Sequence, residues 1–350
     1  QNSCIFSTDM KKKRRVHTTA KMIIVPALLA GIAGCADKKE PKMISETDFF
    51  LGTTCTVQLY GDEHKDKFEP VFDILQDIED KMSVKVKDSE ISRINSMAGR
   101  EAVEVSEDTF TVVEKAMDYS ELSKGRFDLT IKPLIDLWGI GTDNQRIPSE
   151  EEIGGALNKI DYTKVDLDSD ASTVFLEEEG MGIDLGGIAK GYAADLSVQY
   201  LKEHGVEYGI VNFGGNVYAF GEKYGETPWK IGVQKPEGTR GEYLGIVEVT
   251  DKTVVTSGKY ERFFEKDGVK YHHILGTNDG YPVENNLSSV TVIAESSLDA
   301  DALSTLFFTL GLEEGVDMAE NMEEIEAVFY TEDDSIRLTA GLEESFSSTE

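Results

Sequence analysis

Cysteine is nearly missing from this chain of 350 residues: it has three, Cys4, Cys35 and Cys55. The first two lie close to the start, so only Cys55 remains in the body, where neither a disulfide framework nor a cysteine-based metal cluster can then be built. Positive charge is scarce too, with 35 Lys and Arg against 66 Asp and Glu and a formal net charge of −31. A surface of that sign repels nucleic acid and anionic lipid, which argues against both as partners. It also repels phosphate unless local cations or a metal offset the field. Long apolar runs are absent as well: "MIIVPALLAGIAG", 22–34, is too short to cross a bilayer as a mature helix. No internal repeat or low-complexity block occurs.

That short run follows the basic stretch "KKKRRVHTTAK" and leads into Ile32-Ala33-Gly34-Cys35, the order of an export signal. Small residues directly before a cysteine resemble a bacterial lipoprotein signal, in which the sulfur is acylated and becomes the first mature residue. Two acyl chains suffice for stable anchoring. On this reading 1–34 are leader and signal, with Met10 a candidate start. Cys35 is lipidated, 35–44 are the lipidated residue and its tether, 45–340 are the catalytic domain, and 341–350 are a solvated acidic tail. The expected location is the extracytoplasmic face of the cell membrane. An uncleaved anchor or an ordinary signal is the alternative. Without residues 1–34 the balance is 29 basic against 65 acidic side chains, or −36.

"FFLGTTCTVQLYG" alternates like a strand ending at Gly61. "FEPVFDILQDIEDKMS", "TFTVVEKAMDYSELSKG", "AKGYAADLSVQYLKEHG" and "SLDADALSTLFFTLG" carry apolar residues at helical spacing, most with glycine stops. Between Gly209 and Val292 the chain is mainly short strands punctuated by glycine. Partly segregated strands and helices predict an α+β fold in one large unit, with an internal division near Ile160 as the variant.

Four spots could carry chemistry. In "IDLGGIAKGYAAD", Asp184 ends an apolar run, Gly186 and Gly187 let backbone approach a ligand, and Lys190 opens a helix. Amides and a cation at a helix start suit a phosphate, and a plain strand–turn–helix joint has the same pattern. In "LDADALSTLF", Asp301 and Thr305 are four apart and share a helix face. Oxygen-only ligation suits Mg²⁺, while an N-cap aspartate with a buried threonine fits equally. "GRFDLTIKPLIDLWGIG" mixes Phe127, Asp128 and Trp138 as a ligand site or a core cluster. In "YHHILGTNDGYPV", His273 ends a strand before a tight turn, as packing filler or as a working group.

Taken in order, "FFLGTTCTV", "MSVKVKDSEISRIN", "GRFDLTIKPLIDLWGIG", "IDLGGIAKGYAAD", "NFGGN", "TSGKYERFF", "HHILGTNDGYPV" and "DADALSTLFFTLG" resemble the ApbE family of FAD:protein FMN transferases. The resemblance runs from about Ser45 to Gly311, and more weakly to about 340. It implies a T-fold-related α+β architecture of mixed sheets with flanking helices and an FAD site between two halves. It implies Mg²⁺ and FAD, with FMN joined through a phosphoester to a Thr or Ser hydroxyl of an exported acceptor flavoprotein while AMP leaves. Such acceptors are subunits of redox-driven ion pumps, flavin reductases and extracellular electron carriers, with an Asp/Ser-Gly-Ala-Thr-type target that this chain itself lacks.

The resemblance assigns the Gly187 carbonyl and the Asp301 and Thr305 side chains to the metal. FAD contacts map onto Leu51, Arg126, Phe127, Asp128, Asp184, Lys190 and Leu275, and proton transfer at the acceptor hydroxyl onto His273. Lys85 stands where the family carries an aromatic against the flavin. Gly276-Thr277-Asn278-Asp279-Gly280 replaces the family's Asp-Pro-x-Thr-Gly, which leaves either Asp279 as a substitute for the displaced carboxylate or a slower site. Two other activities fit the same residues: a Mg²⁺-dependent FAD pyrophosphatase giving FMN and AMP, and a non-catalytic FAD-binding lipoprotein.

Overall fold

The computed structural model describes residues 40–349 except Glu237, Thr239 and Arg240. The leader, the Cys35 lipidation site and most of the tether lie outside the described residues. From Glu40 onward the chain forms one compact unit, which removes the division near Ile160.

Its centre is an eight-stranded sheet whose strands lie side by side in chain order: Met43–Phe50, Thr53–Tyr60, Gly209–Phe213, Asn216–Phe220, Lys252–Gly258, Leu287–Ala294, Glu326–Thr331 and Ile336–Leu338. Every pairing described is antiparallel, so what is mixed is the set of sheets and helices, not strand direction. Alternation along the strands feeds two cores. Val255, Val290, Val292 and Phe329 face the helices Phe68–Met82, Ala189–Glu203 and Ser297–Leu310. Val254, Ile293, Val328 and Tyr330 face a smaller sheet of Trp229–Gln234, Tyr243–Val249 and Phe346–Ser348. Leu287–Ala294 is covered on both sides and is buried at all eight positions.

Two expectations change here. "FFLGTTCTVQLYG" is a hairpin, not one strand: Phe50 pairs with Thr53 across Leu51-Gly52. Both turn residues have positive φ, 53° and 71°, the twist that suits a two-residue hairpin, and leucine is a rare choice there. The acidic tail is not simply solvated. Phe346–Ser348 pairs with the Tyr243–Val249 strand, and Leu342 and Phe346 are buried.

The long excursion between the second and third strands holds most of the helices. Ser106 caps the Glu107–Leu122 helix through the Thr109 N–H, and Ser296 caps Ser297–Leu310 through that of Asp299. A third, small core joins Leu134, Trp138 and Ile153 from this excursion to Phe264 and Leu275 from the hairpin Phe263–Lys266/Val269–His272 and the turn after it. Trp138 therefore belongs to packing. Its Nε1–H donates to the Gly280 carbonyl at 2.7 Å, holding the turn that follows His273.

Candidate active site

Two helices cross tightly to build the centre. A methyl group on Gly191 would come within 2.1 Å of the Ser297 carbonyl, so glycine is what lets the Ala189–Glu203 and Ser297–Leu310 helices meet. Their approach brings the Gly191 N–H to Asp301 Oδ2 at 3.0 Å and Lys190 Nζ to both Asp301 oxygens at 3.0 and 3.1 Å. Asp301 is only 3% exposed, so the ammonium is its main compensation. Lys190 also donates to the Gly186 carbonyl at 3.0 Å, tying the glycine turn to the aspartate.

One turn along, Thr305 Oγ1 lies 3.2 Å from Ser257 Oγ, which also touches Ser304 Oγ at 2.8 Å. A methyl on Gly187 would sit 3.8 Å from Thr305 Oγ1 and 3.4 Å from the Phe127 ring. Gly187 and Thr305 are thus neighbours, Asp301 stands one helical turn before Thr305, and a carboxylate, a hydroxyl and a backbone oxygen are donors that fit Mg²⁺. No cluster of three His, Cys, Asp or Glu occurs among the described residues, so any cation held here depends on the hydroxyl and backbone oxygens.

Asp184 supports this turn: its Oδ1 accepts from the Gly186 N–H at 2.8 Å, and burial holds its carboxyl above the usual range. Asp128 is occupied internally, accepting from Thr130 N–H and Oγ1–H at 2.8 and 2.6 Å and from the Tyr162 N–H at 3.2 Å. Burial outweighs those bonds and raises its pKa. Phe127 is buried edge-on against Tyr119, and Arg126 beside it is half-buried. The Leu275 side chain packs into the small core. Leu51 donates its N–H to Glu79 Oε2 at 3.1 Å, which holds its uncommon backbone conformation.

The two adjacent histidines divide their work. His272 is buried, with Nε2 against the Val283 carbonyl at 3.1 Å and Nδ1 accepting from the Ile274 N–H at 3.3 Å. Both nitrogens are used, which makes it a neutral structural group; burial pushes it down to about 4. His273 is half-buried and places Nδ1 3.3 Å from the Arg262 carbonyl, which also accepts its N–H at 3.0 Å. A carbonyl can only accept, so Nδ1 carries the proton and Nε2 is the basic nitrogen. Desolvation, then the Arg262 guanidinium, push this imidazole down to about 3, so it is neutral at pH 7.

The turn after His273 is rebuilt as its sequence demands. Asp279 is exposed, its Oδ1 accepts from the Tyr281 N–H at 3.0 Å, and the same oxygen lies 3.0 Å from where a Gly276 side chain would begin, so a carboxylate stands beside the position that lost one. Thr277 reaches across to donate to the Gly125 carbonyl at 2.6 Å, coupling the turn to the Arg126-Phe127-Asp128 loop.

Arg262, Glu261, Ser257 and Asn216 were not singled out individually by the sequence patterns. Glu261 keeps solvent contact, yet desolvation in the surrounding cleft pushes its carboxyl up to about 7 against the pull of Lys190 and Arg262. Asn216 is buried, opposes Val255 and so shares the sheet face of Ser257. Its Nδ2 has no hydrogen-bond partner among the described residues. A "TSGKYERFF" stretch between strands, with charge between two rings, was the available signal for Ser257, Glu261 and Arg262.

Oxygen donors beside a glycine turn, a lysine bridging them, and a histidine held as a neutral acceptor define an enzyme site of the group-transfer class. The family model of ApbE matches residues 51–329, and the chain belongs to the ApbE family. The FAD:protein FMN transferase of Treponema pallidum (strain Nichols) is 35% identical over 336 residues, 91% of this chain and 93% of that protein. That of Klebsiella pneumoniae (strain 342) is 38% identical over 299 residues, 85% and 92% of the two. Among solved structures, the ApbE protein of Thermotoga maritima superposes with a TM-score of 0.81 at 35% identity, covering 87% of this chain and 99% of its own. Flavin transferase ApbE from Vibrio cholerae gives 0.78 at 28%, with coverage of 87% and 99%.

Proposed function

We propose that this protein is an FAD:protein FMN transferase that moves FMN from FAD to a Thr or Ser hydroxyl of an exported acceptor protein and releases AMP. What supports this reading most is that Lys190 bridges the Gly186 carbonyl of the glycine turn and the Asp301 carboxylate, one helical turn before Thr305, which itself lies beside Gly187. Phosphoryl transfer needs positioning and charge neutralisation more than a protein nucleophile, and the site offers both.

The Gly187 carbonyl, the Asp301 carboxylate and the Thr305 hydroxyl would hold Mg²⁺. When bound, the ion supplies Lewis-acid neutralisation of the diphosphate oxygens. Ser257 keeps the Thr305 hydroxyl in place. Lys190 compensates Asp301 and presents a second cation to the phosphates. In the reaction the acceptor hydroxyl oxygen bonds to the phosphorus on the FMN side of FAD, and the bridging P–O bond breaks. The bond pair leaves with AMP, and the hydroxyl proton passes to His273 Nε2. An imidazole this weakly basic accepts a proton poorly while Arg262 is uncompensated. A diphosphate beside the guanidinium offsets that charge and raises the basicity when substrate is in place.

We further propose that Cys35 anchors the protein by lipid to the extracytoplasmic face of the membrane, where exported acceptors are found. The test mixes the protein with FAD, Mg²⁺ and an acceptor fragment bearing an Asp/Ser-Gly-Ala-Thr-type target, and follows the acceptor mass. Gain of one FMN, abolished by chelator and by His273→Ala with FAD binding retained, is the expected result. AMP without labelled acceptor would make it a pyrophosphatase, and no AMP at all a binding protein.

A further inference from the structure

Two cations converge on the hairpin turn of the first two strands. A methyl on Gly52 would lie 3.9 Å from Lys85 Nζ and 3.9 Å from Arg262 Nη2, so the two charges stand within about 8 Å of each other. Neither forms an ion pair among the described residues, although acidic groups outnumber basic ones 66 to 35. What sets them apart is position, since both end over the same glycine turn. Two like charges brought together over a glycine repel each other and are placed for an anion from outside.

Arg262 is also joined to the chemistry. Its carbonyl holds His273, and its Cδ lies 3.8 Å from where a Gly141 methyl would be, so glycines border the side chain at two points. Lys85 is exposed beside the same turn, so its ammonium is open to a ligand.

We propose that Arg262 and Lys85 form an oxyanion clamp for the diphosphate of the dinucleotide, with the Gly52 turn as its floor. This rests on the flavin-transfer reading and deepens it. The planar guanidinium takes two phosphate oxygens at once and the ammonium adds a point charge. The clamp sets the reacting phosphorus against the residue whose tautomer the same arginine fixes, and it supplies an attraction for phosphate that the net charge of the chain opposes.

The test measures binding of FAD, ADP and riboflavin by calorimetry to the wild-type protein and to Arg262→Gln, Arg262→Lys and Lys85→Gln, in Mg²⁺ and again in EDTA. Arg262→Gln should weaken FAD and ADP by about tenfold or more and leave riboflavin unchanged. Lys85→Gln should do the same more weakly, and Arg262→Lys should fall between. Thermal melts of the exposed-site variants establish that each is folded, and the lysine variant keeps the charge if glutamine disturbs the loop. ADP affinity unchanged in Arg262→Gln overturns the clamp. So does normal FAD binding with impaired acceptor labelling, which would assign the cations to the acceptor. If the wild-type protein binds riboflavin but neither FAD nor ADP, the flavin-transfer reading itself fails, and the clamp with it.

Discussion

Lys190 Nζ lies 3.0 Å from Asp301 Oδ1, and the aspartate side chain is 4% exposed against 20% for the lysine. The pair joins two helices that are 111 residues apart in sequence. It also fixes the carboxylate on which cation binding is proposed to depend.

Replacing Lys190 by Met leaves a buried carboxylate without its partner. The expected loss is roughly 3 kcal/mol of folding stability, measured by chemical denaturation in EDTA. Mg²⁺ should restore more stability to this variant than it adds to the wild type, because the ion then takes over the compensation of Asp301. Asp301→Asn should remove the Mg²⁺ response altogether.

Gly191→Ala places a methyl 2.1 Å from a backbone oxygen, and no side-chain rotation relieves that. The helices must part, at a cost of about 1–3 kcal/mol in overpacking. Because the Gly191 N–H holds Asp301, the same change should raise the Mg²⁺ concentration needed for half-maximal activity. An alanine at Gly154, inside a helix with open space around it, is the contrasting control: it should add up to about 1 kcal/mol of stability and leave the Mg²⁺ requirement unchanged.

His272 should report on acid stability. Its folded-state pKa is lowered to about 4, so between that value and about 6.5 the unfolded chain takes up a proton that the folded one refuses. Stability from this group is therefore complete above about 6.5 and is lost as pH falls toward 4, by an amount on the order of 3 kcal/mol. Its imidazole resonances should titrate near pH 4. His272→Gln should flatten the stability profile across that window, whatever its effect at neutral pH.

Phe346 separates a packed C-terminal strand from a solvated tail. A methyl on Gly245 would strike its ring at 2.2 Å, so the strand beside it is shaped to receive it. Phe346→Ala should cost about 3 kcal/mol in a denaturant titration. A tail in solvent would lose nothing.

Helical periodicity and glycine stops made the four long helices readable, because those signals are local. The Asp301/Thr305 face was readable for the same reason. What joined it to Gly187 was not, since the contact depends on a helix crossing set by Gly191, and no spacing encodes a crossing. The Leu51-Gly52 turn was hidden by a leucine in a conformation that leucine seldom takes, sustained by Glu79 from a distant helix. "GLEESFSSTE" reads as solvated by composition, and one phenylalanine filling a slot over Gly245 was enough to override it. The residue pattern alone left His273 open between packing and function, and only the carbonyls of Val283 and Arg262 tell the two histidines apart. Asp279 is displaced by three positions in sequence, and only the fold of its turn shows that its oxygen lies beside Gly276.

The main sheet runs its strands in chain order, and every group assigned here to substrate or metal sits in an excursion between neighbours or on the helix that follows. Leu51 lies in the first excursion, Lys85 to Lys190 in the second, and Arg262 to His273 between the fifth and sixth strands. Asp301 and Thr305 follow the sixth. Such a plan lets evolution lengthen, swap or retune one excursion without disturbing a single rung of the ladder, so new acceptor preferences can arise on an unchanged frame.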